Sequence, residues 1–202
     1  MARTKNEALH VKRKSQILAA ARKCFIAKGI HTTSMQEICK TGKISPGALY
    51  RYYPSKQAII EAIAAQEHQQ NQELIEFLKG VKDPVVGLQQ ALPDILETLL
   101  NKDFARLMIE ISTEASRNAD VHEVFAKVED QFKSELTAIF QDAQRNGEVN
   151  SAIKLPEAIY VILALFDGLF AKQVPAPEEL ITGVFQFYRS FGVTDARISG
   201  IN

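Results

Sequence analysis

The sequence predicts an all-α fold of about nine helices in two domains, the first over residues 1–60 and the second over 61–202. Three observations predict it. Apolar residues return every three to four positions along nearly the whole chain, and no segment alternates with period two. Clusters of Gly, Pro, Asn and Asp punctuate this pattern at intervals of one helix length. Charge is segregated: residues 1–66 hold 12 Lys and Arg against 3 Asp and Glu, a net +9 that the rest of the chain balances with −9.

Ile17, Leu18, Ala21, Cys24 and Phe25 form one stripe at the helical repeat, and Gly29 is a stop signal. Thr32, Thr33 and Ser34 offer capping oxygens to a short second helix carrying Met35, Ile38 and Cys39, which ends near Thr41 and Gly42. Ser45-Pro46 then reads as a cap followed by proline at the first helical position, where its missing N–H is no loss. That third helix runs to about Tyr53 and is stopped by Pro54. Ser55 caps a fourth, with Ile59, Ile60, Ile63 and Ala64 on its apolar side.

In this fourth segment, eight consecutive polar residues, Gln66 to Glu73, precede the renewed stripe of Leu74, Ile75 and Leu78. A helix polar all round for two turns is expected where it crosses a gap between packed bodies, and the alternative is a polar loop. Beyond Gly80 the marks at Asp83-Pro84, Asn101 to Asp103, Asn118 to Asp120, Asn146-Gly147, Lys154 to Pro156 and Pro175 to Pro177 leave room for five helices. The most regular covers 120–146, and Pro93 is expected to kink or split the helix over 85–100.

The longest apolar stretch, Ala158 to Phe166, is about half of the ~20 residues a bilayer requires, so no membrane partner is expected. Arg3, Lys5, Lys12, Arg13 and Lys14 are not followed by the apolar region of an export signal, and a cytoplasmic location is expected. Cys24 and Cys39 have no metal-ligand spacing and read as packing residues. His10, His31, His68 and His122 are scattered, and no Gly-rich phosphate loop or nucleophile elbow is present. These observations argue against an enzyme, and no metal or cofactor is implied.

A basic segment joined to an acidic body points to a polyanion partner for the first domain, a solvated basic face being the alternative. Two short helices joined across Gly42-Lys43-Ile44 match a helix-turn-helix over about 33–53, whose second helix enters the major groove of DNA. In that helix Leu49 and Tyr53 point inward. Gly47 and Ala48 are small enough to let backbone approach base edges, while Tyr50, Arg51, Tyr52 and Lys56 supply donors for phosphate and guanine. Ser45 caps this helix, and the Thr33-Ser34 cap leaves N–H groups at a positive helix end suited to a phosphate. A helical protein binding nucleic acid without sequence preference is the alternative function, although it leaves the cap-turn-cap spacing unexplained.

The run from Ile17 through Lys56, with Lys28-Gly29 followed by TTSMQEICKTGKISPGALYRYYPSK, resembles the tetracycline-repressor (TetR) family of bacterial transcriptional regulators. Leu165-Phe166-Asp167-Gly168-Leu169 is similar to the eighth helix of members grouped with betaine-type and multidrug repressors. The resemblance implies phosphate contacts for Thr33 and Ser34, base or backbone contacts for Gly47, Ala48, Tyr50, Arg51 and Tyr52, and a backbone contact for Lys56. Pro46 stands where many members carry a basic or hydroxyl residue, and Arg51 where histidine is common, so an operator sequence does not transfer. The basic residues before Ile17 belong to no motif, and an adjacent minor groove is within their reach.

The resemblance also implies a homodimer that binds a double-stranded operator and releases it on binding a small-molecule effector. Independently, Ala158 to Phe170 is apolar at nearly every position, as are Leu180, Ile181, Val184, Phe185, Phe187, Tyr188 and Phe191 over more than one stripe. Two such helices fit a four-helix dimer interface, with Ile162, Leu165, Leu169, Ile181, Phe185 and Tyr188 as its candidates, burial within the monomer being the alternative. Twelve of the sixteen aromatic residues follow Gln66, consistent with an apolar effector site or with a core. Candidate ligand residues are Glu110 and Glu114 beside Met108 and Ile111, and Phe166 with Asp167, whose carboxylates suit a cationic ligand.

Overall fold

The computed structural model describes the backbone of residues 2–172 and the side chains of residues 7–168. Within that span the chain forms eight helices: α1 (Ala2–Lys28), α2 (Met35–Gly42), α3 (Pro46–Tyr52), α4 (Lys56–Gly80), α5 (Pro84–Leu100), α6 (Lys102–Ala115), α7 (Ala119–Arg145) and α8 (Leu155–Lys172). The helix expected after Pro177, with Ile181, Phe185 and Tyr188, lies outside the described residues, as does the side chain of Leu169.

The helix ends lie where short polar side chains satisfy backbone groups that the helix itself leaves open. Asp83 Oδ1 accepts from the amides of Val85 and Val86 at the start of α5. Asn101 does the same for Asp103 and Phe104 at α6, and Asn118 for Asp120 and Val121 at α7. Pro93 does not split α5. It sits on the exposed side of the helix, so the Gln89 carbonyl that it leaves without a partner can meet water. The polar run of 66–73 is helical throughout, a part of α4 and not a loop.

Two compact units divide the chain: residues 1–67 with 106–128, and residues 68–105 with 129–202. The first has a continuous core of Ile17, Ala21 and Phe25 from α1, Ile38 from α2, Leu49 from α3, Ile59 and Ile63 from α4, and Leu107, Ile111 and Val121 from α6 and α7. In the second, Ile75, Leu78, Leu136 and Ile159 are buried, with Phe132, Ile139, Phe140 and Leu163 packed around them. The apolar stripe of α7 therefore serves two cores, Val121 and Phe125 in one and Phe132 to Phe140 in the other. Each fully buried large side chain contributes ~1.5–3 kcal/mol of hydrophobic stabilisation, which fixes the short helices α2 and α3 that could not persist alone.

Candidate nucleic-acid interface

The turn between α2 and α3 depends on two residues. Lys43 adopts the left-handed conformation (φ 50°), and its amide and that of Ile44 return to the carbonyls of Lys40 and Cys39. Gly42 closes the preceding helix where a Cβ would lie 2.8 Å from Ile44 Cδ1 and 3.0 Å from the Ala20 Cβ, so only glycine lets α1 and the turn approach this closely. Gln16 of α1 secures the same point, its amide donating to the Gly42 carbonyl at 2.8 Å.

Ser45 caps α3 by accepting from the Ala48 amide. Leu49 and Tyr53 are buried beneath the helix, and Gly47, Tyr50 and Arg51, spaced three and four apart, stand on its exposed side. A Cβ on Gly47 would meet nothing within 4 Å, so no internal packing demands glycine there. Ala48 and Tyr52 are half-buried. The Arg51 guanidinium lies 5.7 Å from the Tyr52 ring, a cation–π distance, and the His10 ring meets Tyr52 at 4.9 Å between centroids.

The start of α2 differs from what the resemblance implies. Thr33 is buried at 2% exposure and its hydroxyl donates to the Gly29 carbonyl at 2.8 Å, so its side chain holds the loop and does not face a phosphate. Ser34 is exposed but forms a reciprocal capping box. Its hydroxyl accepts from the Glu37 amide, and its own amide donates to the Glu37 carboxylate at 2.9 Å. Glu37 also pairs with Lys28, and this partner with the Ser34 donors lowers its carboxyl to about 2. A carboxylate thus already answers the positive end of α2. The Ser34-Met35-Gln36-Glu37 spacing carried this signal in the sequence.

Lys56, expected at the DNA backbone, has its ammonium on three carbonyl oxygens of the loop between α1 and α2. Gly29 begins that loop at φ 85°, where a side chain would be strained, and Glu110 Oε2 would be 2.8 Å from a Cβ added to it. On α1, Arg22 donates to Gln66 and to the Glu67 carboxylate, both at 3.1 Å. Burial raises the Glu67 carboxyl and Arg22 opposes that rise.

The ligand candidates on α6 are not lined up on a cavity of the second unit. Ile111 is buried in the first unit's core and Met108 packs on it. Glu114, 6% exposed, pairs with Arg117 at 3.3 Å, and both lie in an open polar cleft of about 400 Å³ with His31 and Asn118. Of the four candidates, Ile111 and Met108 therefore pack with the first unit's core, and the Glu114 carboxylate already has a cationic partner in Arg117. On α8, Tyr160, Val161 and Leu165 are exposed, Ile162 and Phe166 are half-buried, and Lys133 approaches the Tyr160 ring at 5.5 Å. Asp167 faces Glu129 and Lys133; partial burial and Glu129 raise its carboxyl and Lys133 opposes them.

Among the described residues no helix is long and apolar enough to cross a membrane, and no cluster of His, Cys, Asp and Glu could hold a metal ion. Cys24 and Cys39 are buried free thiols, and Cys24 Sγ donates to Thr41 Oγ1 at 3.2 Å.

Residues 17–63 match the family of bacterial regulatory proteins named tetR, and residues 86–183 match the C-terminal domain of BetI-type transcriptional repressors. The HTH-type transcriptional regulator UidR of Escherichia coli K12 is 31% identical over 162 residues, 78% of this chain and 80% of its own. AcrR of Shigella flexneri, also an HTH-type transcriptional regulator, is 32% identical over 71% of this chain and 60% of its own. Among solved structures, Salmonella enterica GusR superposes with a TM-score of 0.72 at 31% identity, over 80% of this chain and 83% of that one. FadR of Bacillus subtilis, solved with stearoyl-CoA, reaches 0.75 at 16% identity over 89% and 98%, a likeness of fold.

Proposed function

The chain belongs to the TetR family of bacterial regulatory proteins and is a transcriptional regulator, not an enzyme; from this we propose that it is a cytoplasmic repressor that binds a palindromic operator as a homodimer and is released by a small-molecule effector. The observation that carries the DNA-reading role is the exposed side of α3, where Gly47, Tyr50 and Arg51 stand together over buried Leu49 and Tyr53. Arg51 matches the paired acceptors of guanine, and Gly47 with Ala48 allows close backbone approach. Ser45, Tyr50 and Tyr52 supply hydroxyl donors at the edges of this surface, where phosphates run, while the Ser34 hydroxyl is given to Glu37.

Two copies would place their α3 helices in successive major grooves, about 34 Å apart. The exposed apolar residues of α8, Tyr160, Val161 and Leu165, together with Ile162 and Leu169, support a face-to-face pairing of protomers through α8 and the segment with Ile181, Phe185 and Tyr188. An effector acts by differential affinity for the two states of the dimer. Glu110, lying over Gly29 at the end of α1, gives a displacement of α6 a direct path to the helix-turn-helix. Phe166 and Asp167 are the effector contacts that remain in the second unit.

Binding of the purified protein to the DNA upstream of its own gene, against random duplex of equal length and over a range of salt, tests the reading. Preference for a palindrome by ~10³ or more is expected. Equal affinity for that DNA and for random duplexes, together with no enrichment from a random-sequence pool, would favour a binder without sequence preference.

A further inference from the structure

Residues 7–15 of α1 make roughly two and a half helical turns on which every residue is exposed. These turns extend α1 beyond its buried residues, which begin at Ile17, so they bury no apolar side of their own. The segment precedes the residues that match the family, which begin at 17.

Two ties fix where it points. His10 meets the ring of Tyr52 at the end of α3. Arg13 donates to the Gln16 side chain at 2.9 Å, and Gln16 in turn donates to the Gly42 carbonyl at the head of the turn. The segment therefore runs beside the α3 surface that faces DNA in the reading above, on which this inference rests. Residues 2–16 carry five Lys and Arg against one carboxylate, Glu7.

Lys12, Arg13 and Lys14 are consecutive, and successive helical residues turn by about 100°, so their side chains spread over more than half of the helix circumference. A flat acidic surface meets one side of such a helix. Phosphates of the two strands that border a groove meet both sides.

We propose that residues 7–15 are a second DNA-contacting element, a basic helix that grips the sugar-phosphate backbone beside the bases read by α3. Lys12, Arg13 and Lys14 bind phosphates. His10 is a positioning residue, holding the segment against Tyr52.

The test compares full-length wild type with the triple variant Lys12→Gln, Arg13→Gln, Lys14→Gln on a duplex that the wild type enriches from a random pool. The slope of log K against log salt is expected to fall by about 2–3 per protomer. Operator and random duplex should weaken by the same factor, with hydroxyl-radical protection lost at a discrete set of backbone positions. His10→Ala, which leaves the three cations in place, should lose the same protections with a smaller fall in slope. Lys82→Gln, Lys102→Gln, Lys127→Gln in the second unit makes the same change of net charge and should leave the slope unaltered.

An unchanged slope and footprint, a changed preferred sequence, or an equal fall in the control variant would overturn the proposal. A wild-type slope with an altered sedimentation coefficient would do so too, assigning the segment to a second copy through exposed Leu9 and Val11. A wild-type protein that enriches no duplex would overturn the operator reading itself.

Discussion

Lys56 donates from its ammonium to the carbonyl oxygen of Ile30 at 2.6 Å, and the carbonyls of His31 and Thr33 lie at 3.1 Å from the same nitrogen. All three protons of the ammonium thus have acceptors inside the protein. The contact ties the start of α4 to the loop that presents α2, and an effect of Lys56 on DNA binding is expected to pass through that loop. Lys56→Met should lower stability by about 1.5–3 kcal/mol in chemical denaturation, the range for hydrogen bonds to a charged group. Operator affinity should fall with the salt slope unchanged. A slope reduced by about 0.9 per protomer would show instead that the ammonium leaves these carbonyls for a phosphate.

Arg51 is exposed at the end of α3, its guanidinium 5.7 Å from the Tyr52 ring. Removing it should leave folding intact and flatten sequence preference. Arg51→Ala is expected to cost ~1–3 kcal/mol on the selected operator and much less on random duplex, as measured by parallel titrations. An unaltered preferred sequence in repeated selection would take base reading away from this residue.

Gly47 separates folding from recognition. Because a Cβ there meets nothing within 4 Å, Gly47→Ala should raise stability by ~0.5–1 kcal/mol through helix propensity. The same methyl group should weaken operator binding if the backbone approaches base edges. Thermal melting and DNA titration of the one variant should therefore move in opposite directions, and unchanged DNA affinity would remove Gly47 from the interface.

Leu165 is 49% exposed on α8, next to exposed Val161 and Tyr160. A charge placed there would be desolvated if a second protomer covers the face. Leu165→Glu should shift sedimentation equilibrium towards monomer by at least tenfold in dissociation constant while leaving the monomer's helix content unchanged. A dimer of undiminished affinity would place the interface elsewhere.

Much of this was legible before any coordinates, and the reason is local. Caps and breakers act within a few residues, so Ser45-Pro46, Asp83, Asn101 and Asn118 mark helix starts directly. The inward positions Leu49 and Tyr53 follow from spacing on a short helix. Pairings across the fold were not legible. Nothing in the sequence signals that Leu107, Ile111 and Val121 enter a core whose remaining buried residues lie before position 68; α6 contributes to it at long range, and one stripe on α7 serves two cores. Nor does composition distinguish a lysine aimed at solvent from Lys56, whose acceptors lie 23 to 26 residues away. The basic residues before Ile17 read as an arm, and it is the contact of His10 with Tyr52 that gives them a direction.

Glu37 gives the α2 cap a pH signature. Its carboxyl is lowered from 4.5 to about 2, first by the hydrogen bond from Lys28 and then by the Ser34 donors. A lowered carboxyl binds fewer protons in the folded chain than in the unfolded one, so the interaction stabilises fully above the ordinary carboxylate value. That stabilisation is lost as pH falls from about 4.5 towards 2. Glu37→Gln keeps a side chain that can complete the capping box and removes the charge. The melting temperature of the variant should lie below that of wild type at pH 7, and the gap should close between pH 4.5 and 2 because both chains then carry a neutral group at this position. A gap that stayed constant across that window would mean that the Glu37 charge does not support the fold, and that the cap acts through its hydrogen bonds alone.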